Sequence, residues 1–185
     1  GETPDAEQFA GYLFGALRYT DNSLKVPTTL KTLSLGGVLT ALPAYTLFDC
    51  NDLEAILLPQ TITSVGNFAF YSCKRLRYIP LDGLREIGEY AFHSCSALTV
   101  LTLGEELISI GIGAFEGCNA LRRMTLPFVG GGSEENAYLG YIFGAAVPEF
   151  SRGYYPEERR LTDQCTPWLE AFVNARKWVE ERMKK

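Results

Sequence analysis

Residues 65–81 read VGNFAFYSCKRLRYIPL, residues 87–103 read IGEYAFHSCSALTVLTL, and residues 110–126 read IGIGAFEGCNALRRMTL. The three stretches share one frame. Cys50, Cys73, Cys95 and Cys118 follow one another at spacings of 23, 22 and 23 residues. The apolar residues between them keep the same step. Leu53, Leu76, Leu98 and Leu121 form one column, and Ile56, Ile79, Leu101 and Met124 form the next. Leu58, Leu81, Leu103 and Leu126 form a third. Ile62, Leu84 and Leu107 follow, then Val65, Ile87 and Ile110, with Gly66, Gly88 and Gly111 directly after. Ala69-Phe70, Ala91-Phe92 and Ala114-Phe115 close each unit, and a looser first copy runs from Leu30 to Cys50. The one short step falls at Asp82-Gly83, where a loop residue is missing and the apolar frame is kept.

A unit of this size cannot bury its own apolar face, so a fixed period of this kind predicts a solenoid whose stacked coils share one core. The short alternating piece L-x-x-I-x-L suits a strand in a parallel ladder. The A-F-x-x-C piece predicts a tight helical turn that drops Phe into the core. The glycine before it predicts either a positive φ or a close backbone approach.

The period and the run I-G-x-x-A-F-x-x-C-x-x-L-x-x-I-x-L resemble the BspA-type leucine-rich repeats, over roughly Leu30 to Leu126. The chain departs from ordinary leucine-rich repeats in lacking the L-x-x-N position. Its first unit has Thr46-Leu47 in place of Ala-Phe, and Pro43 in place of Gly. The resemblance implies surface or secreted proteins of anaerobic, oral and gut bacteria, and attachment to host extracellular proteins.

Outside the array, Gly11-Tyr12-Leu13-Phe14-Gly15-Ala16 matches Gly140-Tyr141-Ile142-Phe143-Gly144-Ala145 at an offset of 129, and Pro27 maps to Pro156. The second copy follows Pro127-Phe128-Val129 and the loop Gly130-Gly131-Gly132-Ser133-Glu134-Glu135-Asn136, which is expected to be exposed and mobile. The insert reads as an irregular coil that continues the core, or as a ligand-binding outgrowth. Thr166-Pro167 fits an N-cap followed by a first-turn proline, and Trp168, Phe172, Ala175 and Val179 share one helical face. That helix is expected to cover an open end of the solenoid, with partner docking or membrane-surface binding as the other readings. The expected fold is therefore of α/β class: a leucine-rich-repeat solenoid with a short-strand parallel sheet, irregular and partly helical flanks, and a C-terminal capping helix. Its divisions are an N-terminal flank (1–29), the repeats (30–127), the Gly-rich loop with the second motif (128–156), and the helical cap (157–185).

Composition narrows the chemistry. The 185 residues carry 17 Lys and Arg against 22 Asp and Glu, a net charge of −5, so no global positive field exists to hold nucleic acid or an anionic membrane. The 46% apolar content, with 24 Leu, 11 Phe and 10 Tyr, excludes a disordered chain. No stretch approaches the roughly 20 apolar residues of a membrane-spanning helix. The chain opens Gly1-Glu2-Thr3-Pro4 without Met, so an export signal is expected to have been removed ahead of it. His93 is the single histidine, which excludes a His pair, and Tyr71 and Glu116 hold its slot in neighbouring units, as a surface slot would. No C-x-x-C or C-x-x-H spacing supports zinc, and the four periodic cysteines read as free buried thiols, with Cys165 outside their ladder. Gly130-Gly131-Gly132 is followed by Ser-Glu-Glu, whose charge would repel phosphate. No catalytic residue, metal or cofactor is expected.

What remains is the outward face of the parallel ladder. Alternation puts Thr32, Ala55, Tyr78, Val100 and Arg123 in one outward column, and Ser34, Leu57, Pro80, Thr102 and Thr125 in a second. Such a strip suits an extended peptide or protein surface, with Tyr78 and Arg123 as anchors. It also suits a sheet face without a partner. In leucine-rich repeat proteins the sheet face is the usual binding surface, and by that analogy the expected function is non-catalytic binding or adhesion, at the cell surface or secreted, of a host or bacterial protein. The alternative is a passive spacer domain of a larger surface protein.

Overall fold

The inward columns are where alternation puts them. In the computed structural model, which describes residues 9–132 and 139–145, Ile56, Leu76, Leu98 and Leu101 are at most 1% exposed. One continuous apolar cluster runs from Val26 through every coil to Ile142. The described residues through Gly144 belong to one compact unit.

The strands are short. In chain order they are β1 (Thr32–Ser34), β2 (Ala41–Leu42), β3 (Ala55–Leu57), β4 (Ser64–Val65), β5 (Glu86–Ile87), β6 (Val100–Thr102), β7 (Ser109–Ile110) and β8 (Arg123–Thr125). All pairings are parallel and between successive coils. β1 pairs with β3 and β6 with β8, which gives the ladder read from the L-x-x-I-x-L pattern. A second ladder, β2-β4-β5-β7, carries Leu42, Val65, Ile87 and Ile110 inward and runs unbroken through four coils. Val65, Ile87 and Ile110 form one of the periodic apolar columns, and the strand that carries them is not evident from their spacing.

The first ladder has a gap. Tyr78 bridges to Ala55, and Leu81 to Leu103, but no pairing joins Tyr78 to Val100. Pro80 has no N–H to give to a ladder, and this coil is one residue short at Asp82-Gly83. The first ladder is thus reduced to single bridges on both sides of the third coil, while the second ladder runs through it unbroken.

The A-F-x-x-C segment is not a helical turn. It is a run of tight turns with two left-handed residues per coil: Tyr45 and Asp49, Phe68 and Ser72, Tyr90 and Ser94, then Gly113 and Gly117. This geometry sends three N–H groups of each coil forward instead of inward along a helix. Phe68 donates to Glu89 at 2.9 Å, Phe70 to Ala91 at 2.7 Å and Ser72 to His93 at 2.7 Å, and the neighbouring coils repeat the pattern. The sheet bonds run both ways, as in Gly66 N–H to Leu42 O at 2.8 Å and Leu35 N–H to Leu57 O at 2.9 Å. Gly66, Gly88 and Gly111 are needed for the close approach and not for a positive φ. A Cβ on Gly66 would lie 2.5 Å from the Ala44 nitrogen, and one on Gly88 equally near the Asn67 nitrogen.

The two GY(L/I)FGA copies close the turn side at both ends. The first forms a 3-10 helix, Ala10–Phe14, which leads into the four-residue α1 (Asn22–Lys25). Ala10 N–H donates to Thr46 O at 2.7 Å. Asn22, fully buried, accepts from Gly11 N–H at 2.8 Å and donates through Nδ2 to Phe48 O at 2.8 Å. The second forms α2 (Leu139–Ile142), whose backbone accepts from Gly113 and Phe115 at 2.9 and 2.8 Å. Ile142 completes the core, so this insert continues the stack. The expectation of an exposed, mobile glycine loop is corrected at its start. Gly130 and Gly131 are buried, because Gly131 O accepts the Ile110 N–H at 3.2 Å, a role the next coil would otherwise fill. The rest of that loop (133–138), Pro156, Cys165 and the expected C-terminal helix lie outside the described residues.

Candidate functional site

The ladder's outward positions form two columns on successive coils, at the strand spacing of about 4.8 Å. Thr32 sits beside Ala55, and Ser34 beside Leu57. Ala55 sits beside Tyr78, Val100 beside Arg123, and Thr102 beside Thr125. Pro80 and Ala55 are half-buried and the other eight are exposed. Leu57, Tyr78 and Val100 keep 50%, 60% and 42% of their surface open, an unusual density of large apolar groups for a face whose inward neighbours are all in the core. No pairing joins Tyr78 to Val100 along this strip.

Charge on the strip differs from that of the whole chain. The positions just before the outward columns are Lys31, Glu54, Arg77, Thr99 and Arg122, so with Arg123 the segments entering the strip carry four cations and one acid. Lys31 is engaged, 3.2 Å from Asp52, which also meets Arg75 at 2.9 Å. Among the described residues no carboxylate lies within ion-pair distance of Arg77, Arg122 or Arg123. A shallow groove of about 310 Å³ lies beside the second ladder, lined by Ser64, Asn67, Glu86 and Ser109 and floored by Gly66 and Gly88.

The thiols are not reactive groups. Cys73 donates to Leu47 O, Cys95 to Phe70 O and Cys118 to Phe92 O, each at 3.2 Å, so the side chains tie coil to coil. Burial pushes Cys50 and Cys118 up to about 12, and Cys73 and Cys95 well above the usual thiol range. Such thiols stay protonated and are poor nucleophiles. All four are free. Among the described residues no group of His, Cys, Asp and Glu could hold a metal ion.

The slot shared by Tyr71, His93 and Glu116, expected at the surface, is half-buried, because the Tyr71 and His93 rings lie in a stack. Phe48, Tyr71 and His93 stack face to face, at 4.9 and 4.5 Å between ring centres and within 6° of parallel. A second staircase, Tyr45-Phe68-Tyr90, runs beside it at 5.1 and 5.4 Å. The signal was present: each column repeats at the cysteine period. Ser94 Oγ lies 2.9 Å from His93 Nδ1, but Glu116 stands 3.9 Å from Nε2, beyond hydrogen-bond reach. A nucleophile, base and orienting carboxylate are thus not linked, and the groove beside the second ladder does not reach these residues.

Comparison with known proteins agrees with this architecture. The profile of the BspA type leucine rich repeat region, in six copies, matches residues 21–134. A leucine-rich repeat protein from Bacteroides ovatus is similar in structure, with a TM-score of 0.50 and 28% identity, over 52% of this chain and 25% of its own. A leucine rich cell surface protein from Faecalibacterium prausnitzii is similar at a TM-score of 0.50 and 29% identity, over 53% of this chain and 27% of its own. The chain thus spans about a quarter of the length of these proteins. No curated protein matches it. Among the described residues no helix is long and apolar enough to cross a membrane. On its repeat, its fold and the matched profile, the chain belongs to the BspA-type leucine-rich repeat family.

Proposed function

We propose that this chain is a non-catalytic recognition module of a bacterial cell-surface or secreted protein, and that it takes a protein partner on the strip centred on Tyr78 and Arg123. The observation that carries the reading is the exposed set Leu57, Tyr78 and Val100, flanked by guanidinium groups without carboxylate partners among the described residues. Aromatic and arginine side chains are the commonest anchors of protein interfaces. The unpaired cations favour a partner that brings carboxylates beside an apolar anchor. The relative from Faecalibacterium prausnitzii is described as a cell surface protein, which supports the location.

The test is binding of the immobilised chain to a panel of host extracellular-matrix proteins, with Tyr78→Ala/Arg123→Glu as the comparison. The expected result is a tenfold or greater loss of affinity in the double variant, about 1.4 kcal/mol or more. Binding that ignores the double variant moves the contact off the strip. Absence of binding across the panel favours the spacer reading.

A further inference from the structure

We infer that the exposed face of the Gly11–Ala16 turn is a docking surface for the last coil of a further BspA-type array, joined in series ahead of this one. The chain carries two copies of one motif that end in the same turn, and among the described residues only the second meets a coil ahead of it. Gly15 and Gly144 each have a φ of 79°. Each donates its N–H at 3.1 Å to the carbonyl of the tyrosine three residues earlier, Tyr12 and Tyr141.

Their surroundings differ. Against the second copy lies a leucine-rich coil: Gly113 and Phe115 donate to Tyr141 O and Ile142 O, and Ile142 is 0% exposed. A Cβ on Gly144 would collide with the Glu116 carboxylate of the same coil. In the first copy Leu13, the equivalent of Ile142, is 81% exposed, and nothing lies within 4 Å of a Cβ built on Gly15. The other side of the first copy is already used, through Ala10 N–H to Thr46 O and through Asn22 to Phe48 O. One copy therefore shows how the motif receives the coil before it. The other shows how it leads into the coil after it. Together they describe a junction with an array on each side.

The occupant is thereby specified: a coil end of the I-G-x-x-A-F type, with two forward N–H groups where Gly113 and Phe115 have theirs. A second copy of this chain is a poor occupant, because its own Tyr141 and Ile142 already take those two donors. The matched bacterial proteins, about four times the length of the aligned region, have room for arrays in series.

The test duplicates residues 11–139 in frame, so that Leu139 is followed by Gly11 and the internal Leu13 stands where Ile142 stood. A single continuous array is expected, with one urea transition. Internal Leu13→Asp should lower its midpoint by about 1 M or more, as Ile142→Asp should in the parent, while Leu13→Asp in the parent should leave the midpoint unchanged. Ile142→Leu, which makes the two motifs identical, should keep the parent's midpoint. Two separate transitions, or a silent internal Leu13→Asp, overturn the proposal. So does an aggregated duplicate alongside a folded Ile142→Leu parent, or an Ile142→Leu parent that unfolds. Self-association of the parent that Leu13→Asp abolishes would make a second copy the occupant, and that also overturns it.

Discussion

Phe92→Ala tests the coil-to-coil packing most directly. Phe92 is fully buried between Phe70 and Phe115, with ring centres 4.9 and 5.4 Å away and planes within 8°. Truncation removes roughly 100 Å² of apolar burial, about 2.5 kcal/mol at about 25 cal/mol per Å². A residual cavity on the order of 80 Å³ adds about 2 kcal/mol, since bonds from Phe70 to Ala91 O and from Phe92 to Ala114 O hold its walls apart. Two lost ring contacts bring the expected total to about 5 kcal/mol. Each coil touches only its neighbours, so the loss falls on both interfaces of the third coil. Urea unfolding followed by far-UV circular dichroism should therefore show a lower midpoint and a shallower transition. A loss below about 1 kcal/mol, with the slope unchanged, would refute the claim that this buried stack couples the coils.

Three further outcomes follow from the geometry. Gly88→Ala, which forces a methyl against the Asn67 backbone, should cost about 1–3 kcal/mol or more in urea unfolding, while Gly83→Ala, with 3.9 Å to its nearest neighbour, should cost nothing measurable. Ser94→Gly should be neutral or stabilise by up to about 1 kcal/mol, because Ser94 holds a φ of 59° where the next coil already has Gly117; clear destabilisation would mean that the Ser94 hydroxyl, not its backbone, matters. The buried thiols keep their protons when folded and lose them when unfolded, so the unfolded state binds fewer protons above about pH 9. Stability is whole below that pH and declines above it, by about 1.4 kcal/mol per thiol at pH 10. Cys73→Ala/Cys95→Ala should show about half the alkaline fall in urea midpoint, and an equal fall would contradict the assignment.

The core was legible because burial repeats at a fixed period: each residue of the Leu53, Ile56 and Phe70 columns points inward regardless of backbone detail. The second ladder was not, since two-residue strands carry too little alternation to be told from a loop that happens to bury Val65 or Ile87. The turns were misjudged because Phe68 and Tyr90 adopt a φ that sequence reserves for glycine, and only Gly113 and Gly117 mark those positions openly. Outward columns could be read from alternation, but the missing pairing between Tyr78 and Val100 could not, since neither residue marks it. Nothing in the residues identifies a ligand, because an exposed Tyr or Arg contributes binding energy only against a particular partner surface.

The two aromatic staircases have a mechanical consequence. Parallel rings 4.5–5.4 Å apart, anchored at equivalent points of successive coils, resist rotation of one coil about the stacking axis relative to the next. In the first ladder the third coil is held only by single bridges, Tyr78 to Ala55 and Leu81 to Leu103. Twist is thus clamped along the rings, while the first ladder couples the third coil to its neighbours by fewer pairings than the second ladder does.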